Sequence, residues 1–140
     1  MATKSSKRIE RDIFRMLKDS ELSNVIGGRF YRDGMRPMDS KEEDAVVKFL
    51  TGVDGQEQNG VVLLHVYVTD KDFYGNGALC EDIGRVEQLE DEIKEALSAI
   101  DSNEYVIKTD GTPQSNKSQD YNGQHFINVR ISYRRSIYNE

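Results

Sequence analysis

The residues best suited to chemistry by type and spacing lie in a twelve-residue segment from Asp70 to Glu81. A calcium-binding loop requires carboxylates at its first, third and last positions, and Asp70, Asp72 and Glu81 satisfy that spacing. Gly75 also stands where such a loop turns sharply. Against calcium, Tyr74 occupies a position that needs an oxygen ligand, and a predicted strand precedes the segment where a helix is expected. A plain strand-to-helix connection is therefore favoured, with Asp70, Asp72 and Glu81 as the candidate metal ligands.

The two histidines, His65 and His125, each fall inside a predicted strand. Together they could supply half of a metal site or act as an acid and a base. No cysteine or carboxylate spacing nearby completes a ligand set, so a hydrogen-bonded structural role is favoured for both. The single Cys80 excludes an internal disulfide, and the carboxylates beside it disfavour the thiolate that a nucleophile needs. We expect no catalytic residues, no bound metal and no cofactor.

A small magnesium-dependent nuclease is an alternative because Asp70 and Asp72 follow a central predicted strand. Such an enzyme also needs a carboxylate-x-lysine pair on a neighbouring strand, and the stretch from Glu104 to Lys108 has the wrong spacing. The chain contains no P-loop, dinucleotide fingerprint, G-x-S-x-G or H-E-x-x-H motif. No local motif therefore names a reaction.

Composition predicts one folded domain. Valine, isoleucine, leucine and phenylalanine make up 24% of the 140 residues, which is more than a disordered chain of this charge would carry. No apolar run is long enough to span a bilayer, and no apolar segment follows the charged start, so we expect neither membrane insertion nor secretion. A single cysteine fits a reducing compartment, and we expect the protein in the cytoplasm.

Charge is distributed unevenly along the chain. Residues 1–36 carry a net charge of +4, residues 37–104 carry −12 and residues 105–140 carry +2. The acidic middle would repel phosphates, so sequence-specific binding of nucleic acid is not expected. Solvated helix faces and loops explain the pattern most simply, whereas opposite potentials at opposite ends of the fold would help copies or partners stack in a fixed order.

Two stretches have the periodicity of amphipathic helices, from Lys7 to Asp19 and from Glu81 to Ile100. A short extended piece is predicted at Phe30 and Tyr31, followed by a hairpin whose strands run from Asp44 to Val53 and from Gly60 to Thr69. The second strand of this hairpin is apolar on nearly every residue, which indicates a central strand covered on both faces. If a helix covers one face, a neighbouring subunit is a candidate for the other. The residues predicted at that interface are Val62, Leu64, Val66, Val68 and Phe126.

Two more strands are predicted, from Glu104 to Thr109 and from His125 to Tyr133, and the second alternates strictly between apolar and polar positions. The polar stretch 110–123 is predicted to be an exposed loop, and residues 1–6 to be flexible. The predicted order is α-β-β-β-α-β-β. It describes a single α+β domain over residues 1–140, with an antiparallel or mixed sheet packed by two helices.

The layout resembles the tail terminator, or tail-completion, proteins of long-tailed phages and prophages. The resemblance covers roughly Lys7 to Arg135 and rests on element order and composition. Besides the amphipathic first helix, its elements are the Arg36-Pro37 junction, the strand end Val66-Tyr67-Val68, the helix start Asp82-x-x-Arg85-x-x-x-Leu89-Glu90, and the closing strand Val129-Arg130-Ile131-Ser132-Tyr133.

The resemblance implies a small subunit that forms a ring, typically a hexamer, on the growing tail tube and offers a surface to the head-side connector. It brings no catalytic residues, and it implies a location in the virion tail after assembly in the cytoplasm. Two alternatives stay open. One is a calcium- or magnesium-binding module, or a small nuclease, that uses Asp70, Asp72 and Glu81. The other is a host-encoded protein-interaction domain.

Overall fold

A computed structural model describes residues 3–136, and it is an α+β fold. The helices are α1 (Ser6–Lys18), α2 (Leu22–Val25) and α3 (Ile83–Ser98). The strands are β1 (Phe30–Arg32), β2 (Ala45–Val53), β3 (Glu57–Thr69), β4 (Tyr105–Thr109), β5 (Gln114–Lys117) and β6 (Gln124–Ser136).

The strands form one mixed sheet in the order β1-β2-β3-β6-β4, and β5 also pairs with β6. Only β1 runs parallel to its neighbour, since all other pairs are antiparallel. The two 13-residue strands β3 and β6 pair along their whole length, from Glu57 opposite Ser136 to Thr69 opposite Gln124. These two strands run through the sheet from one end, where Glu57 pairs with Ser136, to the other, where Thr69 pairs with Gln124.

The helices pack on one face of the sheet and build the main core there. In α1 the apolar positions predicted from the sequence, Ile9, Ile13 and Leu17, are fully buried, because spacings of three and four residues place them on one side of a helix. The alternating strand β6 buries its apolar set in the same way. The apolar residues that α3 and β6 bury in this core include Val86, Leu89, Ile93, Leu97, Ile127, Val129 and Ile131.

The predicted interface residues of β3 were placed wrongly. Val62, Leu64, Val66 and Val68 are buried under the helices of their own chain, so they cannot contact a second subunit in this fold. Because β3 is apolar on both faces, its sequence does not show which face the helices take. The alternate positions of β3 point to the other side of the sheet, which no helix covers and which we call the open face.

Three further features differ from the sequence prediction. The stretch 110–123 is not a simple exposed loop: Gln114–Lys117 form β5, and Tyr121 is buried against the open face. Helix α2 was also not predicted, because its four residues are too short for a periodic pattern. The hairpin turn is shorter than predicted, since β3 begins at Glu57 and not at Gly60.

Part of the segment that was predicted to be flexible is tied to the sheet. The backbone N–H of Lys4 donates to Gln58 at 3.0 Å, and its Nζ lies 2.7 Å from carboxylate oxygens of both Asp12 and Glu104. Glu104 in turn pairs with the buried guanidinium of Arg135. These contacts fix the entry to α1 against the ends of β3, β4 and β6. Residues 1 and 2 lie outside the described part of the chain.

Within residues 3–136, no helix combines the length and the apolar character needed to cross a membrane.

Candidate subunit interface

Two of the candidate metal ligands converge on a histidine. Asp70 is buried, and its Oδ1 lies 2.7 Å from Nδ1 of His125. Glu81 approaches the other ring nitrogen of His125 at 4.0 Å and accepts a hydrogen bond from the hydroxyl of Ser115 at 2.5 Å. The cluster therefore joins the connection after β3 to β5 and β6, which is a structural role.

The third candidate, Asp72, points away from this cluster. Its two carboxylate oxygens accept from the backbone N–H groups of Asn76 at 3.1 Å and Gly77 at 2.9 Å, so it stabilises the turn of its own loop. Among residues 3–136 there is no group of three or more His, Cys, Asp or Glu that could hold a metal ion. In the folded chain, Asp72 therefore stabilises a turn and does not join Asp70 and Glu81, although the three residues have the spacing of a calcium loop.

The two histidines lie on opposite faces of the sheet. His65 is the cross-strand partner of Asn128, whereas His125 is the partner of Val68. Paired residues lie on the same face of a sheet, and successive residues of a strand alternate between the two faces. Because Val68 is three positions from His65, His125 and His65 lie on opposite faces. On the open face, the ring of His65 lies 4.6 Å from that of Phe126, and burial followed by the charge of Lys48 lowers the pKa of His65. The pair cannot form one acid–base or metal site.

A buried arginine on the open face was not identified from the sequence. The Nε of Arg36 donates to Asp44 at 3.0 Å, and its Nη2 donates to Gln124 at 2.9 Å. The guanidinium carbon lies 4.0 Å from the ring centroid of Tyr67 and 4.2 Å from that of Tyr121, and the two rings meet edge to face with centroids 5.0 Å apart, so the cation contacts both rings from one side. The Arg36-Pro37 junction was the only local signal, and the contacts themselves span up to 88 positions of sequence.

The arginine and its two rings close one side of the open face. Burial raises the pKa of Tyr67 to about 12. Beside it opens a cleft of about 300 Å³ whose rim includes Lys48, His65 and Asp120. Of the predicted interface residues, only Phe126 belongs to this face, where it packs half-buried against Tyr67.

Exposed apolar side chains gather at both ends of the sheet. Residues 71–80 form a protruding connection between β3 and α3, which we call the 71–80 arm. It exposes 55% of Phe73, 79% of Tyr74 and 58% of Leu79. At the opposite end, the β2–β3 hairpin exposes Val53, and β4 exposes Val106. A group of exposed apolar side chains on one segment, such as Phe73, Tyr74 and Leu79 on the 71–80 arm, is typical of a contact surface.

The helix layer divides its charge between two helices. The outward residues Arg8, Arg15 and Lys18 of α1 make no ion pair within residues 3–136. On α3, burial raises the pKa of Glu90, and the charges of Asp91, Glu81 and Glu87 add to this effect. The uneven charge of the sequence thus becomes a basic helix beside an acidic one.

No protein-family model and no curated protein matches the chain. Among solved structures, one that carries no functional name matches 99% of this chain and 100% of its own, with a TM-score of 0.51 and 14% sequence identity. At this identity the match shows a shared fold and gives no information about function.

Proposed function

We propose that the chain is a structural subunit of the tail of a phage or prophage. Copies of it form a ring, typically a hexamer, that ends the tail tube and contacts the head-side connector. The protein assembles in the cytoplasm, takes its place in the virion tail and catalyses no reaction. The sequence resemblance supplies this class, and the α+β fold is compatible with it.

One structural observation carries the proposal: exposed apolar side chains occupy both ends of a sheet that has helices on only one face. Phe73 and Tyr74 stand at one end, and Val53 and Val106 stand at the other. A head-to-tail ring needs two different surfaces on each subunit, since the surface on one side meets a different surface on the next copy. The division between a basic α1 and an acidic α3 adds electrostatic selectivity to such packing.

The candidate carboxylates give the metal-dependent alternative no comparable support. Asp70 is engaged by His125, and both carboxylate oxygens of Asp72 are engaged by backbone N–H groups. A bound cation would compete with these contacts for the same carboxylates. We therefore argue the assembly role alone.

Deletion of the gene tests the role directly. Without a terminating ring, tail tubes should fail to join heads, so electron microscopy of lysates should show free heads and unjoined tails of irregular length. A plasmid copy of the gene should restore complete particles. Complete virions in the deletion strain would overturn the proposal. Neighbouring genes for tube, tape-measure or connector proteins would separate a tail component from a host-encoded interaction domain.

A further inference from the structure

The outer side of α1 is basic. Four cations, which we call the basic stripe, follow one another along the helix in steps of three and four residues: Arg8, Arg11, Arg15 and Lys18. This spacing places them on one side of α1, opposite its buried residues. Arg8, Arg15 and Lys18 are exposed and make no ion pair within residues 3–136, while Nε of Arg11 lies 3.9 Å from Asp12. Asp12 is also engaged by Lys4, so the stripe keeps a net positive charge.

The outer side of α3 is acidic. Its exposed carboxylates follow one another in steps of four residues, and we call them the acidic stripe: Glu87, Asp91 and Glu95. The spacing places them on one side of α3, opposite its buried residues. The helix contains two further carboxylates, and its only cations are Arg85, which pairs with Glu43, and Lys94. Within residues 3–136, none of the carboxylates of α3 makes an ion pair.

The two stripes match in sign and in length. Like charges three or four residues apart repel each other and destabilise a helix, so each stripe is stabilised when a surface of opposite charge covers it. At about 1.5 Å per residue, the basic stripe is about 15 Å long and the acidic stripe about 12 Å. Each stripe is therefore the kind of surface that the other requires.

The stripes of one chain do not pair with each other. Helix α1 packs against β1 and β2, and α3 packs against β4, at the opposite edge of the sheet. No ion pair joins the two helices within the described residues. Because both helices lie on the same face of the sheet and bury the side toward it, both stripes point away from the sheet. Both therefore remain open to a partner.

A second copy of the chain satisfies both stripes at once. When two copies face each other across a two-fold axis that runs between the helices, α3 of each lies over α1 of the other. A nucleic acid on the basic stripe would instead bring its phosphates beside the carboxylates of α3, which repel them. Charge complementarity thus favours a second copy over a nucleic acid.

We infer that the helix layers of two copies pack face to face, with the basic stripe of each against the acidic stripe of the other. The contact is isologous, since the same surface of both copies takes part. It goes beyond the proposed function, because it adds a contact that does not involve the ends of the sheet. Helices of 13 and 16 residues offer a surface of roughly 400 Å², about half of the roughly 800 Å² that each partner of a stable complex buries. The pairing is therefore weak, and it depends on charge.

Exchange of the charges tests this contact in the full chain. One variant reverses the basic stripe with Arg8→Glu, Arg15→Glu and Lys18→Glu, and another reverses the acidic stripe with Glu87→Lys, Asp91→Lys and Glu95→Lys. In sedimentation velocity at about 50 mM salt, where exposed charges are weakly screened, each variant alone should pair at least about tenfold more weakly than the parent. An equimolar mixture of the two variants should pair again, because each stripe then meets one of opposite charge. A chain with all six substitutions should also pair with itself.

A matched control reverses three exposed cations of the open face, with Lys48→Glu, Lys108→Glu and Arg130→Glu. It changes the net charge as much as reversal of the basic stripe does, and it should pair like the parent. Circular dichroism should show that each variant is folded. The parent supplies a measurement that needs no variant, since raising the salt to about 0.5 M should weaken its pairing.

Three results would overturn the helix-layer contact and leave the ring proposal standing. They are folded reversal variants that pair like the parent, a mixture of the two that does not regain pairing, and pairing of the parent that is insensitive to salt. Retention of double-stranded DNA by the parent, lost when the basic stripe is reversed, would assign that stripe to nucleic acid and overturn the contact as well. A parent that is monomeric at every concentration overturns the contact and the ring together.

Discussion

Arg36 and Asp44 form a buried ion pair that joins the segment before β2 to the open face of the sheet. Their side chains are each only 1% exposed, and Nε of Arg36 lies 3.0 Å from Oδ2 of Asp44. The carboxylate also accepts from the backbone N–H of Arg29 at 2.8 Å and from the hydroxyl of Ser40 at 2.5 Å. The pair therefore fixes the edge of the open face, where Tyr67 stacks on the guanidinium.

Removing the arginine should be costly because it leaves the Asp44 carboxylate buried without its cation. Arg36→Met is expected to lower the free energy of unfolding by roughly 3–5 kcal/mol, measured by urea denaturation. Arg134→Met is the matched control, since its ion pair with Glu57 is exposed and should contribute less than about 1 kcal/mol. Equal losses in the two variants would refute this assignment.

The same carboxylate predicts how stability depends on pH. Burial alone would raise the pKa of Asp44, but hydrogen bonds from Arg29 and Ser40 and the charge of Arg36 outweigh it and lower the pKa below 3.8. A folded-state pKa below the unfolded one contributes stability above the unfolded value, and that stability is lost as the pH falls through the folded value.

The free energy of unfolding should therefore decrease as the pH falls below about 5, and the slope should be shallower in Asp44→Asn. Asp39→Asn, an exposed carboxylate in the same connection, should keep the parent slope. Asp12 and Glu104 also contribute to the pH dependence of the parent. Burial would raise the pKa of each, but hydrogen bonds and the charge of Lys4, together with other donors, outweigh burial and lower it. Identical slopes for parent and Asp44→Asn would contradict the prediction.

Two glycines with different surroundings should respond oppositely to substitution by alanine. A Cβ on Gly60 would lie 2.1 Å from the carbonyl oxygen of Thr51 and 2.7 Å from Gly52, so backbone would have to move. Gly60→Ala should destabilise the fold by roughly 1–3 kcal/mol. Gly84→Ala in α3 meets no atom within 4 Å and should stabilise by up to about 1 kcal/mol, because alanine favours a helix. The melting temperature should fall in Gly60→Ala and rise in Gly84→Ala, and shifts in the same direction would contradict this prediction.

Calcium should have no effect on the arm. Because Asp72 already accepts two backbone N–H groups and Asp70 faces His125, calorimetric titration with Ca²⁺ or Mg²⁺ should give no binding heat and no shift in melting temperature. Asp70→Asn with Asp72→Asn should behave like the parent in this titration. A saturable heat that disappears in the double variant would instead favour the metal-binding alternative.

The sequence was sufficient for elements whose burial repeats regularly. The spacing of apolar residues in α3 and the alternation in β6 each predicted the buried face, because both elements pack against one layer. It was insufficient for Gln114–Lys117, a polar strand whose position depends on pairing with β6. It also failed for β3, since a strand that is apolar on both faces does not indicate where the helices lie.

The candidate sites show the same limit. The spacing from Asp70 to Glu81 left a shared metal site open beside the favoured plain connection, and in the fold the carboxylate of Asp72 binds backbone N–H groups of its own loop. The cluster of Arg36 with Tyr67 and Tyr121 joins three distant parts of the chain, so no local pattern predicts it. The sequence also does not predict that Phe73 and Tyr74 are exposed, because their exposure depends on whether distant parts of the chain cover them.

The mass of the protein over a concentration series, measured by multi-angle light scattering, tests the central claim most directly. Self-association through surfaces at opposite ends of the sheet predicts that the mass rises from that of one 16.0 kDa chain to a fixed multiple and then stays constant, as a closed ring requires. A mass of 16.0 kDa at every concentration would contradict the account.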